Sequence, residues 1–275
     1  MAGFSAEWLA LREPLDHAAR SAELTRAVWD ALPRGEPQRI LDLAAGTGSN
    51  LRYLRKAGSE RTRPASVPSA KAETDWLLVD HDSALLAHVA TSPDVHTRCL
   101  DLSTLDDRGL FAGRRLVTAS ALLDLVSEEW LRTLAVRCAE AGAAVLFALT
   151  YDGRIACSPP DSDDAEVVSL VNRHQRTDKG FGPALGPDAT RIATNCFEAL
   201  EYQVRRARSD WIVAPESREL QRQLIDGWAR AAAEIAPARE AVIDGWRDRR
   251  LAHVVAGRSE IAVGHEDLGG WNLRS

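Results

Sequence analysis

"RILDLAAGTGSNLRYL", residues 39–54, is the stretch that decides the fold class. Its mostly apolar residues 40–43 indicate a buried β-strand, the small residues 44–48 a tight turn, and the residues from 49 onward an α-helix. A strand, a glycine-containing turn and a helix in this order hold an anionic or ribose-bearing cofactor in many proteins. The stretch therefore predicts a cofactor-binding α/β domain and raises the question of which cofactor the turn accepts.

Further short apolar segments follow along the chain and alternate with helical patterns. They lie near residues 76–79, 95–101, 115–126 and 143–154. A helix is predicted to begin after Ser127, because serine is a favourable N-cap residue. Continuous apolar strands that alternate with helices are typical of a mostly parallel sheet covered on both faces.

The composition excludes several classes of function. The chain has 275 residues, of which 45% are hydrophobic and 27% charged, with a net charge of −6. A net negative charge argues against broad binding to the phosphate backbone of nucleic acids, so no nucleic-acid partner is expected. The longest apolar run, residues 143–149, is too short to cross a bilayer, and no signal peptide is recognisable. We therefore expect a cytoplasmic protein without a membrane partner.

The cysteines are widely separated and predict neither a metal site nor a redox pair. They are Cys99, Cys138, Cys157 and Cys196, and none of them belongs to a C-x-x-C pair. Isolated cysteines of this kind are usually small buried apolar residues in a reducing compartment.

Two phosphate-binding interpretations of the glycine turn are weakened by the residues that follow it. A dinucleotide-binding G-x-G-x-x-G turn that starts at Gly46 needs a third glycine where this chain has Leu51. A P-loop needs Gly-Lys-Ser/Thr after the turn, and that tripeptide is missing.

Residues Asp42 to Gly48, "DLAAGTG", resemble motif I of the class I S-adenosylmethionine-dependent methyltransferases, (D/E)-x-G-x-G-x-G. The resemblance implies a turn that passes under the methionine part of the cofactor. Ala44 stands at the first glycine position of the motif. Alanine suits the turn provided that this residue does not need a positive φ.

The resemblance to this family also implies roles for the acidic residues that follow the next two strands. Asp80 is expected to accept hydrogen bonds from both ribose hydroxyls, and Asp101 with Leu102 to bind the adenine. The end of the fourth strand, at Ser120, is expected beside the transferred methyl group. The cofactor-binding residues that the resemblance implies are Arg20, Asp42, Ala44, Gly46, Gly48, Asn50, Asp80, His81, Asp101, Leu102 and Ser120.

The resemblance also implies the domain organisation. We expect a Rossmann-like α/β domain with a seven-stranded, mostly parallel sheet, an antiparallel closing strand, helices on both faces and a helical lid insertion. Residues 1–36 are predicted to form an N-terminal helical cover, 37–154 the cofactor-binding core, 155–190 the lid, and 191–275 the C-terminal helices and closing hairpin. Residues 59–71, polar with two prolines, are predicted to be a surface insertion.

The implied activity is methyl transfer from S-adenosylmethionine to a small-molecule acceptor at oxygen or nitrogen, with S-adenosylhomocysteine as the product. The cofactor supplies the activated methyl group, so the protein needs a general base only if the acceptor must lose a proton. The catalytic candidates are His174, Asp124 and Tyr151, and the substrate-binding candidates are Leu123, Arg154, Lys179 and Phe181.

Other interpretations of these residues stay open. Asp124 is equally suited to pair with the start of the next helix, and a lone histidine such as His174 is more often a surface residue. A degenerate methyltransferase fold that binds the cofactor or a partner without catalysis is the main alternative, and a nicotinamide-dependent dehydrogenase is a weaker one. The chain is expected to be a monomer or a homodimer.

Overall fold

The computed structural model describes residues 4–33, 37–61 and 74–272. Most of the predicted insertion, residues 62–71, therefore lies outside the described residues, while residues 59–61 end a helix. The helices are α1 (Ala6–Ala19), α2 (Ala22–Ala31), α3 (Ser49–Arg61), α4 (Ser83–Leu86), α5 (Glu128–Ala141), α6 (Asp164–Gln175), α7 (Ala189–Glu198), α8 (Arg218–Ile235) and α9 (Glu240–Val255). The strands are β1 (Gln38–Leu43), β2 (Thr74–Asp80), β3 (Val95–Cys99), β4 (Leu116–Ser120), β5 (Ala144–Ser158), β6 (Gln203–Arg208), β7 (Trp211–Val213) and β8 (Glu260–Trp271).

The strands form one sheet in the order β3-β2-β1-β4-β5-β8-β6. Strands β1 to β5 run parallel to one another, whereas β8 is antiparallel to both β5 and β6. The predicted fold class is confirmed, including the antiparallel closing strand. The sheet has eight strands and not seven, because two separate strands, β6 and β7, pair with β8.

Helices cover both faces of the sheet, as the continuous apolar strands predicted. Helix α5 packs on one face in a cluster with Leu41, Val117 and Phe147. Trp29 of α2 and Leu54 of α3 pack on the other. Ser127 caps α5 by accepting a hydrogen bond from the Trp130 amide at 3.3 Å, as its sequence position predicted.

Strand β5 is much longer than its parallel neighbour β4 and rises above the end of that strand. Ser120, the last residue of β4, pairs with Ala148, so ten more residues of β5 continue beyond this level and pair with β8. Helices α1, α6, α8 and α9 pack around this extension in a second apolar cluster. The first residues of the predicted lid, 155–158, are thus the end of β5, and α6 follows.

None of the helices in the described ranges is long and apolar enough to cross a membrane.

Candidate functional site

The glycine turn after β1 contacts the acid at the end of β2. The Gly46 amide donates a hydrogen bond to Oδ2 of Asp80 at 2.8 Å, and the Asp82 amide donates one to Oδ1 at 2.9 Å. Asp80 is only 5% exposed, so these two amides hold its carboxylate in one orientation. A carboxylate has about four acceptor positions, so its remaining lone pairs can still accept hydrogen bonds from a ligand.

A buried polar network lies below the same turn. Asn50 donates hydrogen bonds to Oδ1 of Asp42 at 2.7 Å and to the Thr118 hydroxyl at 3.1 Å. Asp42 is fully buried, and burial raises its pKa to about 7, although the hydrogen bond from Asn50 and the charge of Arg20 oppose this rise. Oδ2 of Asp42 has no hydrogen-bond partner within the described parts of the chain. The network thus joins β1, α3 and β4 at the edge where the strands end.

Arg20, which directly follows α1, joins this network through Asn50. Its Nη1 donates to the Asn50 side-chain oxygen at 2.5 Å, and its guanidinium lies 4.1 Å from the centroid of the Tyr53 ring. Arg20 is 6% exposed. Its binding to a cofactor carboxylate stays a prediction.

Three neighbouring strands carry a residue other than glycine with positive φ at the same edge. Ala44 follows β1 with φ 52°, Ala121 follows β4 with φ 53°, and Leu149 lies at a bulge in β5 with φ 55°. A side chain in this conformation costs about 1 kcal/mol, and such residues cluster at functional sites. The motif position at Ala44 therefore does need a positive φ, which the sequence could not show.

Helix α1 covers the glycine turn. Cδ1 of Leu9 lies 3.2 Å from where a Cβ on Gly46 would be. At its other end, His17 contacts the Ser49 hydroxyl at 3.0 Å, and Glu13 is paired with Arg52 of α3. The segment predicted as an N-terminal cover thus includes a helix that contacts the turn directly.

The remaining predicted cofactor residues lie around β2, β3 and β4. His81 has a 61% exposed side chain with Nδ1 3.2 Å from Oδ1 of Asp80. Asp101 is exposed, and a hydrogen bond from the Ser103 amide lowers its pKa. Leu102 is buried, and Ser120 ends β4. Their contacts with a cofactor stay predictions.

Asp124 is a buried carboxyl group just beyond β4. Burial raises the pKa of its carboxyl group to about 6, although the nearby backbone amides of Asp124 and Tyr151 oppose this rise. Oδ1 lacks a partner in the described ranges. A carboxylate with a pKa near 6 is mostly ionised at neutral pH and can accept a proton. Leu123, beside it, packs in the apolar core.

The candidates from the predicted lid lie on α6 and in the loop after it, where neighbouring side chains contact them. His174 Nε2 lies 2.9 Å from the Glu234 carboxylate, and its Nδ1 lies 3.3 Å from Nζ of Lys179. Burial lowers the pKa of Lys179, and the charges of Glu234 and Asp124 oppose this change. Phe181 packs edge-on against Trp130 with ring centroids 5.7 Å apart.

Tyr151 and Arg154, on the extension of β5, are held by neighbouring side chains. The Tyr151 hydroxyl donates to the Asn172 side-chain oxygen at 2.8 Å, and burial raises the pKa of this phenol. Arg154 is paired with Asp152 and with Asp210.

Sequence reasoning missed His265, which β8 places opposite Tyr151. This histidine is 7% exposed, its ring centroid lies 4.9 Å from that of Trp211, and its Nδ1 lies 3.1 Å from the Val263 carbonyl oxygen. Burial and the nearby Arg12 guanidinium lower its pKa to about 4, so the ring is neutral at physiological pH. Nothing in the sequence signalled this position, because it depends on the pairing of β5 with β8.

No protein-family model and no curated protein matches this chain. Among solved structures it is similar to the cyclopropane synthase MmaA2 from Mycobacterium tuberculosis, with a TM-score of 0.50, 11% identity, and coverage of 98% of this chain and 95% of the other. It is also similar to a cyclopropane-fatty-acyl-phospholipid synthase-like protein from Lactobacillus casei, with a TM-score of 0.54, 15% identity, and coverage of 98% and 95%. At such identities the likeness shows the fold alone, which is that of the class I methyltransferases.

Proposed function

We propose that this chain is an S-adenosylmethionine-dependent methyltransferase that acts on a small molecule at oxygen or nitrogen. The observation that carries the proposal is the hydrogen bond from Gly46 in the turn after β1 to Asp80 at the end of β2. In this sheet order the two groups lie at the carboxyl edge of adjacent parallel strands, where open α/β sheets bind their ligands.

The residues at this edge fit the cofactor. Asp80 keeps acceptor capacity for ribose hydroxyls, and Oδ2 of Asp42, below the turn, has no hydrogen-bond partner among the described residues. Asp101 and Leu102, after β3, would hold the adenine. When bound, S-adenosylmethionine supplies a methyl group already activated on a sulfonium.

The protein's own contribution is to orient the acceptor, exclude water and take up a proton. Helix α1 covers the turn through Leu9, so it can keep water from the reacting atoms. Asp124 is buried beyond β4 with a pKa of about 6, and its Oδ1 has no partner among the residues that the structure describes, which suits it to accept a proton from a hydroxyl or amine. His174, Tyr151, Arg154, Lys179 and Phe181 stay weaker candidates for acceptor contacts.

The charge of the chain supports a small acceptor. A net charge of −6 disfavours nucleic acid. A cytoplasmic location and a monomeric or homodimeric state belong to the same proposal.

A protein that binds the cofactor without catalysis is the second candidate. The position of Leu9 over the glycine turn bears on cofactor binding by either candidate and not on turnover, so only an activity measurement separates the two. A dehydrogenase is disfavoured, because Leu51 is packed in the core where a dinucleotide-binding fold has a glycine.

The first experiment is thermal unfolding of the protein with S-adenosylmethionine, S-adenosylhomocysteine, NAD and NADP in parallel. A ligand at 100 times its Kd stabilises the folded state by about 2.7 kcal/mol, which gives a clear shift in Tm. We expect shifts with the two adenosyl-sulfur ligands alone. Asp80→Ala should abolish them, whereas Asp75→Ala, at the opposite end of the same strand, should not.

The catalytic part of the proposal has its own test. Candidate hydroxyl and amine acceptors are incubated with S-adenosylmethionine, and formation of S-adenosylhomocysteine is measured. With an accepted substrate, Asp124→Asn should lower the rate by about 10² or more while leaving the Kd of the cofactor unchanged. Cofactor binding without turnover on any acceptor favours the non-catalytic candidate, and an absence of cofactor binding refutes the proposal.

A further inference from the structure

A small cavity lies where α6, α8 and α9 pack against the extension of β5. Its volume is about 170 Å³, and its apolar lining includes Ile155, Val167, Val168, Val171, Trp228 and Trp246. Ile155 follows Ala148, the residue of β5 that pairs with the last residue of β4, by roughly 20 Å along the strand. The cavity therefore lies well beyond the strand ends that carry the predicted cofactor residues.

The polar groups in the lining are already used by other parts of the protein. Oδ1 of Asp164 accepts hydrogen bonds from Nε1 of Trp246 at 2.8 Å and from Nε of Arg250 at 3.0 Å. Oδ2 accepts one from the Asp161 amide at 2.8 Å and another from Nη2 of Arg250. Burial raises the pKa of the Cys157 thiol to about 11, so this group stays uncharged. A polar ligand would find few partners at these walls.

Water is a poor occupant of this cavity for the same reason. The volume gives room for about five water molecules at about 30 Å³ each. A buried water makes about three hydrogen bonds, which a lining of valine, isoleucine and indole rings around a paired carboxylate does not provide. An unfilled cavity also lowers stability in proportion to its volume, because the atoms around it lose packing contacts. An apolar ligand would restore these contacts without needing hydrogen bonds.

The size and the walls of the cavity define the ligand. Apolar cavities of about 150 Å³ bind benzene. The indole rings of Trp228 and Trp246 favour an aromatic occupant, because aromatic rings attract one another in offset and edge-on arrangements. Ile155 and Val168 also line a wider surface depression of about 650 Å³, which can accommodate the polar part of a larger ligand. We propose that the cavity beside the end of β5 binds the aromatic ring of a small molecule, independently of the cofactor and of the proposed methyl transfer.

The probe is benzene, titrated into the full chain by calorimetry and added in parallel to thermal unfolding. Binding to the folded state should raise Tm as the benzene concentration rises. Val168→Phe adds a ring to the lining and should weaken benzene binding by about tenfold or more, because the two rings compete for the same space. The matched control is Val136→Phe, the same change at an exposed position of α5, which should bind benzene as the wild type does.

A second readout uses the wild-type protein and reports on the wall of the cavity. The indole N–H resonance of Trp228, assigned in an NMR spectrum with the Trp228→Phe variant, should shift on addition of benzene. The resonance of Trp29, in the apolar cluster beside α2 and α3, should stay in place. Asp80→Ala should leave both readouts unchanged, which separates this site from the cofactor site. The proposal is overturned if benzene gives no binding heat, if Val168→Phe binds it as tightly as Val136→Phe, or if the Trp228 resonance does not move.

Discussion

Replacement of Asp42 by asparagine should change how the stability of the protein depends on pH. Burial raises the pKa of this carboxyl group from 3.8 to about 7, so the folded protein keeps a proton that the unfolded chain has already lost. The stabilising effect of that proton is complete below about pH 4 and disappears as the pH rises through 7. The asparagine side chain of the variant cannot ionise, and its oxygen can still accept the hydrogen bond from Asn50.

The magnitude follows from the size of the shift. A difference of about 3 pKa units corresponds to about 4 kcal/mol in all, of which about 2.5 kcal/mol is lost between pH 5 and pH 8. Asp42 is fully buried, so screening by solvent does not reduce this value. Between pH 5 and pH 8 we therefore expect the free energy of unfolding of Asp42→Asn to rise by about 2.5 kcal/mol relative to that of the wild type.

The assay is urea unfolding of both proteins, without ligand, at pH 5, 6, 7 and 8 and constant ionic strength. Asp124→Asn is the comparison variant, because burial raises the pKa of Asp124 only to about 6. The difference in free energy of unfolding between Asp124→Asn and the wild type should level off at about pH 7. The corresponding difference for Asp42→Asn should continue to grow up to pH 8. Parallel stability curves for the wild type and Asp42→Asn would refute the reasoning.

Two glycine-related predictions test the backbone and the packing around the site, each by urea unfolding. Ala44→Gly should leave the free energy of unfolding unchanged or raise it by up to about 1 kcal/mol, because glycine adopts a positive φ without strain. Ala45→Gly in the same turn should lower it by about 1 kcal/mol. If both variants lost the same stability, Ala44 would not be strained. Gly269→Ala should lower the free energy of unfolding by about 1–3 kcal/mol, because its Cβ would lie 2.6 Å from Val28. Gly227→Ala in α8 has open space around the new Cβ and should raise it by about 1 kcal/mol. A Gly269→Ala protein as stable as the wild type would show that α2 can shift.

Much of the sheet could be predicted because its strands are short, apolar and interrupted by turn residues. The strand before Ala44 and the cap at Ser127 are local features, and the structure has both where the sequence indicated them. The contact between Gly46 and Asp80 was also within reach, because consecutive parallel strands end at the same edge. The length of β5 was not, because its bulges and its pairing with β8 involve residues more than a hundred positions apart.

The candidate site shows the same limit. The spacing of Asp42 and Asp80 identified acids at strand ends, but not their partners, which are Asn50 of α3 for Asp42 and the backbone amides of Gly46 and Asp82 for Asp80. His265 is one of several histidines in the sequence, and only burial beside Trp211 and Tyr151 distinguishes it.

By itself the sequence determined which segments form strands and helices and which turn carries the resemblance to a methyl-donor site, because propensity, periodicity and capping act between residues close in the chain. Tertiary structure alone decided that α1 lies over that turn, that Asp42 is buried enough to hold a proton near neutral pH, and that Trp228 and Trp246 line a cavity beside the end of β5. These properties depend on burial and on contacts between distant segments, since solvation and charge interactions act through space and not along the chain.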